Sequence, residues 1–175
     1  LTNTGAPLTG VRDGAAQWVD DDGDGDLDIF LTGTNGSNPV AQLYRNTNGS
    51  FAPVGTAITP VANSMAAWGD YDNDGDLDLL LSGRSSGGLI THLYRNNGGA
   101  SFTNRNLGLP GLEQGAVAWA DYDGDHDIDL LLTGNNGSGP FAALYRNESN
   151  SFTGDHFVNS GISLTGVDQS AVAWA

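Results

Sequence analysis

The sequence predicts an all-β protein, a propeller-type array of four-stranded antiparallel blades, on three observations. Landmarks repeat about every 50 residues: Trp18, Trp68, Trp119 and Trp174 are 50, 51 and 55 apart, and Leu-Tyr-Arg-Asn recurs at 43–46, 93–96 and 144–147. Short apolar runs alternate with turns rich in Gly, Asn, Ser and Thr, and no stretch has helical periodicity. A period of this length is too long for a leucine-rich repeat and suits four strands per unit.

Each unit reads as four strands in order. The first is a small-residue run ending in tryptophan: Ala15-Ala16-Gln17-Trp18, Ala66-Ala67-Trp68 and Ala116-Val117-Ala118-Trp119. The second, at 27–32, 77–82 and 128–133, is apolar on both faces, as a strand buried on two sides must be. The third contains Leu-Tyr-Arg-Asn. The fourth begins at Phe51, Phe102 or Phe152 and runs into a Leu/Gly/Pro link. The chain divides into the end of a preceding blade (1–11), blade 1 (12–61), blade 2 (62–111), blade 3 (112–165) and the first strand of a following blade (166–175). Residues 3–11 mirror 159–167, and 171–174 begin another unit. About three blades with partial strands at both ends leave sheet surface open. The expected partners are therefore further blades of a longer chain, or copies of this chain joined end to end into rings or filaments.

The formal charge of −15 is confined rather than spread. Sixteen of the 21 acidic residues lie in the windows 20–28, 70–78 and 121–129, and the remaining five face six arginines. The scaffold is thus near neutral, with three dense anionic pockets that repel themselves without a counterion. There is no lysine and no basic stripe, which argues against nucleic acid, and the apolar segments are too short for membrane-spanning helices. Cysteine is absent, which leaves the redox compartment open.

The three windows share one pattern. Aspartates occupy positions 1, 3, 5, 7 and 9: Asp20, Asp22, Asp24, Asp26 and Asp28; Asp70, Asp72, Asp74, Asp76 and Asp78; Asp121, Asp123, Asp125, Asp127 and Asp129. A hard cation such as Ca2+ takes six to eight oxygens in flexible geometry. Side chains at positions 1, 3 and 5, the backbone carbonyl at 7 and both carboxylate oxygens at 9 supply six, so each loop is expected to hold one structural calcium ion. The start looks like an EF-hand, but position 12 is Leu31, Leu81 or Leu132 rather than glutamate, and the flanks are strands. Position 6 calls for a left-handed backbone, which suits Gly25 and Gly75; His126 takes it at a cost of order 1 kcal/mol, so the third site is expected to bind more weakly. The apolar residue at position 8 is expected to pin each loop into the core.

A four-strand unit with Asp-x-Asp-x-Asp-Gly-x-apolar-Asp between its first two strands, clearest in Trp-Gly-Asp-Tyr-Asp-Asn-Asp-Gly-Asp-Leu-Asp at 68–78, resembles the FG-GAP and VCBS repeats, the propeller blades of integrin α-subunits and many bacterial surface proteins. The resemblance implies propeller blades, structural Ca2+ on one rim and an extracellular or cell-surface setting. Adhesion, carbohydrate or protein binding, and service as a module of a larger surface protein are the roles that it implies.

The other repeated residues read structurally. Arg45, Arg95 and Arg146 pair with acidic loops or cap blade edges, Tyr44, Tyr94 and Tyr145 pack between blades, and the tryptophans form inter-blade core. His92, His126 and His156 are scattered, and no nucleophile motif is present, so no catalytic role is expected. The turns at 34–39, 84–88 and 135–140 vary most between units and lie opposite the calcium turns, where partner contacts tend to concentrate. These readings converge on an extracellular, calcium-stabilised repeat protein with an adhesive or structural role. A lectin-like glycan-binding module and the non-catalytic module of a larger surface enzyme are the alternatives.

Overall fold

The strands form where the apolar and β-branched runs lie, and within each sheet each pairs with the next in the chain. The computed structural model describes residues 5–149 and 154–173. Strands β1 (Ala16–Val19), β2 (Asp28–Thr34), β3 (Pro39–Thr47) and β4 (Ser50–Val54) make the first antiparallel sheet. Strands β5 (Ala62–Gly69), β6 (Asp78–Ser85), β7 (Gly88–Asn96) and β8 (Phe102–Asn104) make the second. Strands β9 (Glu113–Ala120), β10 (Asp129–Asn135), β11 (Pro140–Asn147) and β12 (Phe157–Asn159) make the third. Each sheet is a simple meander, and the described residues contain no helix. The three propeller-like blades do not close into a ring.

Register explains how the blades stack. Because side chains alternate across a strand, residues opposite one another share a face. Trp18, Ile29 and Tyr44 form such a row in blade 1, Trp68, Leu79 and Tyr94 in blade 2, and Trp119, Leu130 and Tyr145 in blade 3. This tryptophan face of blade 2 meets Val19, Phe30 and Leu43 of blade 1. The same face of blade 3 meets Met65, Leu80 and Leu93 of blade 2. The second strands are therefore buried from both sides: Leu79, Leu80 and Leu81 are each 0% exposed.

Two expectations need correction. Trp18 and Leu27 are 62% and 53% exposed, because no blade lies against the tryptophan face of blade 1. Trp68, by contrast, sits edge-on between Phe30 (5.5 Å between centroids) and Phe102 (6.0 Å). Among the described residues the fourth strand of blade 3 is β12, which begins at Phe157; Phe152 lies outside the described residues. Phe51, Phe102 and Phe157 occupy equivalent places opposite Asn46, Asn96 and Asn147. Phe157 stands 6.0 Å from Trp119, matching the Phe102–Trp68 pair. The requirement is for an aromatic on the tryptophan face, and a longer β11–β12 turn delivers it later in the chain. At the C-terminal end, Val167 bridges to Phe141, residues 171–173 carry no strand, and Trp174 lies outside the described residues.

The tyrosines tie in the links between blades. The Tyr94 hydroxyl donates to Thr59 Oγ1 (2.8 Å) and accepts from the Thr59 N–H (3.0 Å). Tyr44 does the same to Thr9 at 2.9 Å for both bonds.

Trp68→Ala is expected to destabilise the protein by about 3 kcal/mol, through the lost ring and the cavity left between two phenylalanines. Trp18→Ala should cost less than about 1 kcal/mol in the isolated chain. Urea unfolding of the two variants measures the difference.

Candidate metal centres

Each aspartate loop is the turn between the first and second strands of a blade, and its own carboxylates shape it. The position-1 carboxylate accepts backbone N–H groups from farther along the loop: Asp20 from Gly25 (3.1 Å), Asp70 from Asp74 (3.0 Å) and Gly75 (2.9 Å), and Asp121 from Gly124, Asp125 and His126 (2.7–3.1 Å). The position-5 carboxylate accepts the position-7 N–H in every loop, at 2.8, 3.0 and 3.0 Å. The curl requires positive φ at position 6, where Gly25, Gly75 and His126 have +90°, +95° and +77°. It also requires positive φ at position 4, where Gly23, Asn73 and Gly124 have +71°, +58° and +79°. The second requirement was legible in the Gly/Asn/Gly pattern and escaped the sequence reading.

Position 9 anchors the loop to the blade. Asp28, Asp78 and Asp129 are at most 1% exposed. One oxygen of each accepts the position-2 N–H of Asp21, Tyr71 or Tyr122 at 3.1, 3.2 or 2.9 Å. The other accepts the N–H of Asn46, Asn96 or Asn147 at 2.7, 2.8 or 2.9 Å.

The curl brings positions 1, 3 and 9 together in all three loops. Asp20, Asp22 and Asp28, then Asp70, Asp72 and Asp78, then Asp121, Asp123 and Asp129 each place one oxygen per residue within 4.8 Å of the others. Positions 5 and 7 stand outside these triads. Asp24, Asp74 and Asp125 are turned to the loop backbone, while the side chains of Asp26 and Asp127 accept from the Asn48 N–H (3.2 Å) and the Asn73 amide (2.9 Å). Leu77 and Ile128 at position 8 pack against the inter-blade core, whereas Leu27 is exposed.

The donor set fits a hard divalent cation. Three carboxylates converge in each loop, and such a cation takes oxygen ligands in flexible geometry. In two of the triads a buried carboxylate oxygen, Asp20 Oδ1 or Asp72 Oδ1, has no hydrogen-bond partner. A buried polar atom left unpaired is costly, and a cation removes that cost. The electrostatics carry the same signature. Burial pushes the Asp78 carboxyl up to about 7, despite the two N–H donors that favour its charged form. Burial, and then a hydrogen bond with Asp21, pushes Asp28 up to about 6. Asp129 and Asp72 are raised by burial as well.

The arginines partly neutralise the loops. Arg45 pairs with Asp21 (2.8 Å) and Asp22 (3.1 Å), and Arg95 with Asp72 and Asp74 (both 2.8 Å). Arg146 stands 3.9 Å from Asp123 and is bonded more closely to Glu148. Sequence reasoning missed a further clasp between blades 2 and 3: Tyr71 donates to Asp155 (2.9 Å), which also pairs with Arg105. Asp155 sits in the lengthened β11–β12 turn, which has no counterpart in the other blades.

The family model described as FG-GAP-like repeat matches twice, over residues 20–81 and 70–132. Both matches start on a first loop aspartate and run into the second strand of the following blade. Together they cover more than half of the chain, which belongs to the FG-GAP-like repeat family. No curated protein and no solved structure matches it.

A pH dependence follows from position 9. Folding raises the Asp78 pKa from its ordinary 3.8 to about 7, so between these values the folded state holds more protons than the unfolded state. Stability conferred by that proton is present at low pH and lost as pH rises through 7. In EDTA the melting temperature is expected to rise by roughly 2–4 °C as pH falls from 8 to 6.5. In saturating calcium, which keeps the carboxylates ionised, this trend should disappear. Differential scanning fluorimetry across that range reads both.

Proposed function

We propose that this member of the FG-GAP-like repeat family is an extracellular, calcium-stabilised propeller module with a non-catalytic, adhesive or structural role. The observation that carries the calcium reading is the set of three equivalent aspartate triads, two of them with a buried, unpartnered carboxylate oxygen. Each triad would hold one ion, with Asp20, Asp22 and Asp28, Asp70, Asp72 and Asp78, or Asp121, Asp123 and Asp129 as side-chain ligands. When bound, the ion neutralises carboxylates that otherwise repel one another. The residues of the chain do the rest: they curl the loop, bury position 9 and tie it to the third strand. An ion held between two rigid strands stabilises the folded state by mass action, by about 2.7 kcal/mol per site at a hundredfold excess over Kd.

The structural role is supported by the open tryptophan face of blade 1. Trp18 and Leu27 there occupy the places that Trp68 and Leu77 bury at the junction of blades 1 and 2. Another blade, from a copy of this chain or from further along a longer one, is the partner that such a face accepts. The extracellular setting is supported by family membership, since FG-GAP repeats are typical of extracellular proteins.

Elemental analysis and calorimetric titration are expected to find one calcium ion per loop, three in all, and EDTA should lower the melting temperature. Asp72→Asn should reduce the count to two. Unchanged melting with and without EDTA, together with no bound metal, would remove the calcium reading.

A further inference from the structure

We infer that the three metal sites bind cooperatively, coupled across the blade junctions by Asn96 and Asn147 and, between the second and third sites, by Asn73. The inference rests on the calcium reading above and goes beyond it.

The side-chain amide of Asn147 in blade 3 donates to the backbone carbonyl of Tyr71 in the blade 2 loop (2.9 Å). The amide of Asn96 in blade 2 donates to the carbonyl of Asp21 in the blade 1 loop (2.8 Å). Both asparagines are 1% exposed. Their own N–H groups are held by the position-9 carboxylates Asp129 and Asp78. The residues whose carbonyls they reach are those whose N–H groups bond Asp78 and Asp28. One buried path thus runs Asp129, Asn147, Tyr71, Asp78, Asn96, Asp21, Asp28, and it passes through a metal-triad residue in every blade.

Such a path couples sites through shared ordering. An ion at one triad fixes the position-9 carboxylate and the loop backbone, including the position-2 peptide. That peptide seats the next asparagine, whose N–H helps to fix the next position-9 carboxylate. Ordering the junction opposes binding of the first ion; the second ion meets a junction already ordered and binds more tightly.

The coupling is unequal. The Asn73 amide in the second loop also donates to the Asp127 carboxylate in the third (2.9 Å), a direct bond from one metal loop to another. The equivalent position in the first loop is Gly23, which has no side chain to reach across. Sites 2 and 3 are therefore coupled more strongly than sites 1 and 2.

Isothermal titration of the full chain with calcium tests this. The expected result is positive cooperativity, with a later site binding about fivefold or more tighter than its independent affinity. Asp123→Asn, which disables the third site, should weaken the second by a similar factor, and Asp22→Asn should weaken it less. Asn73→Gly keeps a residue suited to positive φ and should reduce the 2–3 coupling to the level of the 1–2 coupling without changing the number of ions. Asn147→Ala should reduce the 2–3 coupling to the part that the Asn73–Asp127 bond carries, and Asn147→Ala combined with Asn73→Gly should abolish it. If the Asn147→Ala variants do not fold, the Asp123→Asn and Asn73→Gly arms decide the matter alone. Three ions bound independently, with Asp123→Asn leaving the other affinities unchanged, would overturn the coupling while leaving the calcium reading standing. No calcium bound at all would overturn both.

Discussion

The buried carboxylate at position 9 is the constraint on which the rest depends. An ionised carboxylate taken out of water costs several kcal/mol unless it is paired and hydrogen-bonded. Asp28, Asp78 and Asp129 meet part of that cost with two backbone N–H bonds each, one from the loop and one from the third strand. Those bonds close the metal loop onto the blade. They do not complete the offset, because burial still raises the pKa of all three. A bound cation would supply what is missing. Loop curl, strand anchoring and metal site are thus one arrangement, repeated three times.

Much of this was legible because repetition multiplies weak signals. One aspartate-rich turn is ambiguous, whereas three in register with a tryptophan, a tyrosine and an asparagine define a unit, its strands and its charged turn. What escaped detection depends on neighbours rather than on the unit. Trp18 and Trp68 read alike in the sequence, and only the presence of a blade on one side separates an exposed ring from a buried one. Phe152 has the spacing of the repeat, and the aromatic found opposite Asn147 is Phe157. The asparagine ending Leu-Tyr-Arg-Asn was read as a landmark; the amides of Asn96 and Asn147 bridge blades, a role visible only once two blades are stacked. Left-handed residues five positions before each tryptophan (Asp13, Asn63, Gln114 and Gln169, φ +48° to +55° apart from +47° at Asn63) also went unread, since only Asn and Asp hint at that conformation.

The three loops are variations on one design. His126 adopts the backbone of the glycines it replaces, and its side chain is 95% exposed. A Cβ built at Gly25 or Gly75 meets nothing within 4 Å, so the cost at His126 is backbone strain without steric conflict. The first loop carries a sixth acid, Asp21, where the others have tyrosine. Its carboxylate is taken by Arg45, which leaves that arginine divided between two acids of the loop. In the third loop Glu148 competes for Arg146, so Asp123 is held least firmly.

These substitutions also grade the junctions. Between blades 2 and 3, Tyr71 reaches the Asp155–Arg105 pair, Asn73 reaches Asp127, and the Trp119 indole donates to the Ala67 carbonyl (3.3 Å). Gly69 permits this approach, since a Cβ there would lie 2.7 Å from Ile128 Cδ1 and 2.9 Å from the Trp119 ring. At the equivalent place in blade 1 stands Val19, 3% exposed, which fills the space against blade 2 instead. The first junction is therefore held mainly by apolar packing, with Asn96, the Gln17 amide (2.7 Å to the Ala66 carbonyl) and the Ser64 hydroxyl (2.7 Å to Thr32 Oγ1) among its polar ties. Apolar packing is non-directional and tolerates sliding, whereas the second junction is fixed by bonds of defined geometry. In a stack whose units touch only their neighbours, separation starts where the fewest directional bonds must break. Blade 1 is the unit that can part from the others while the second and third metal loops stay joined.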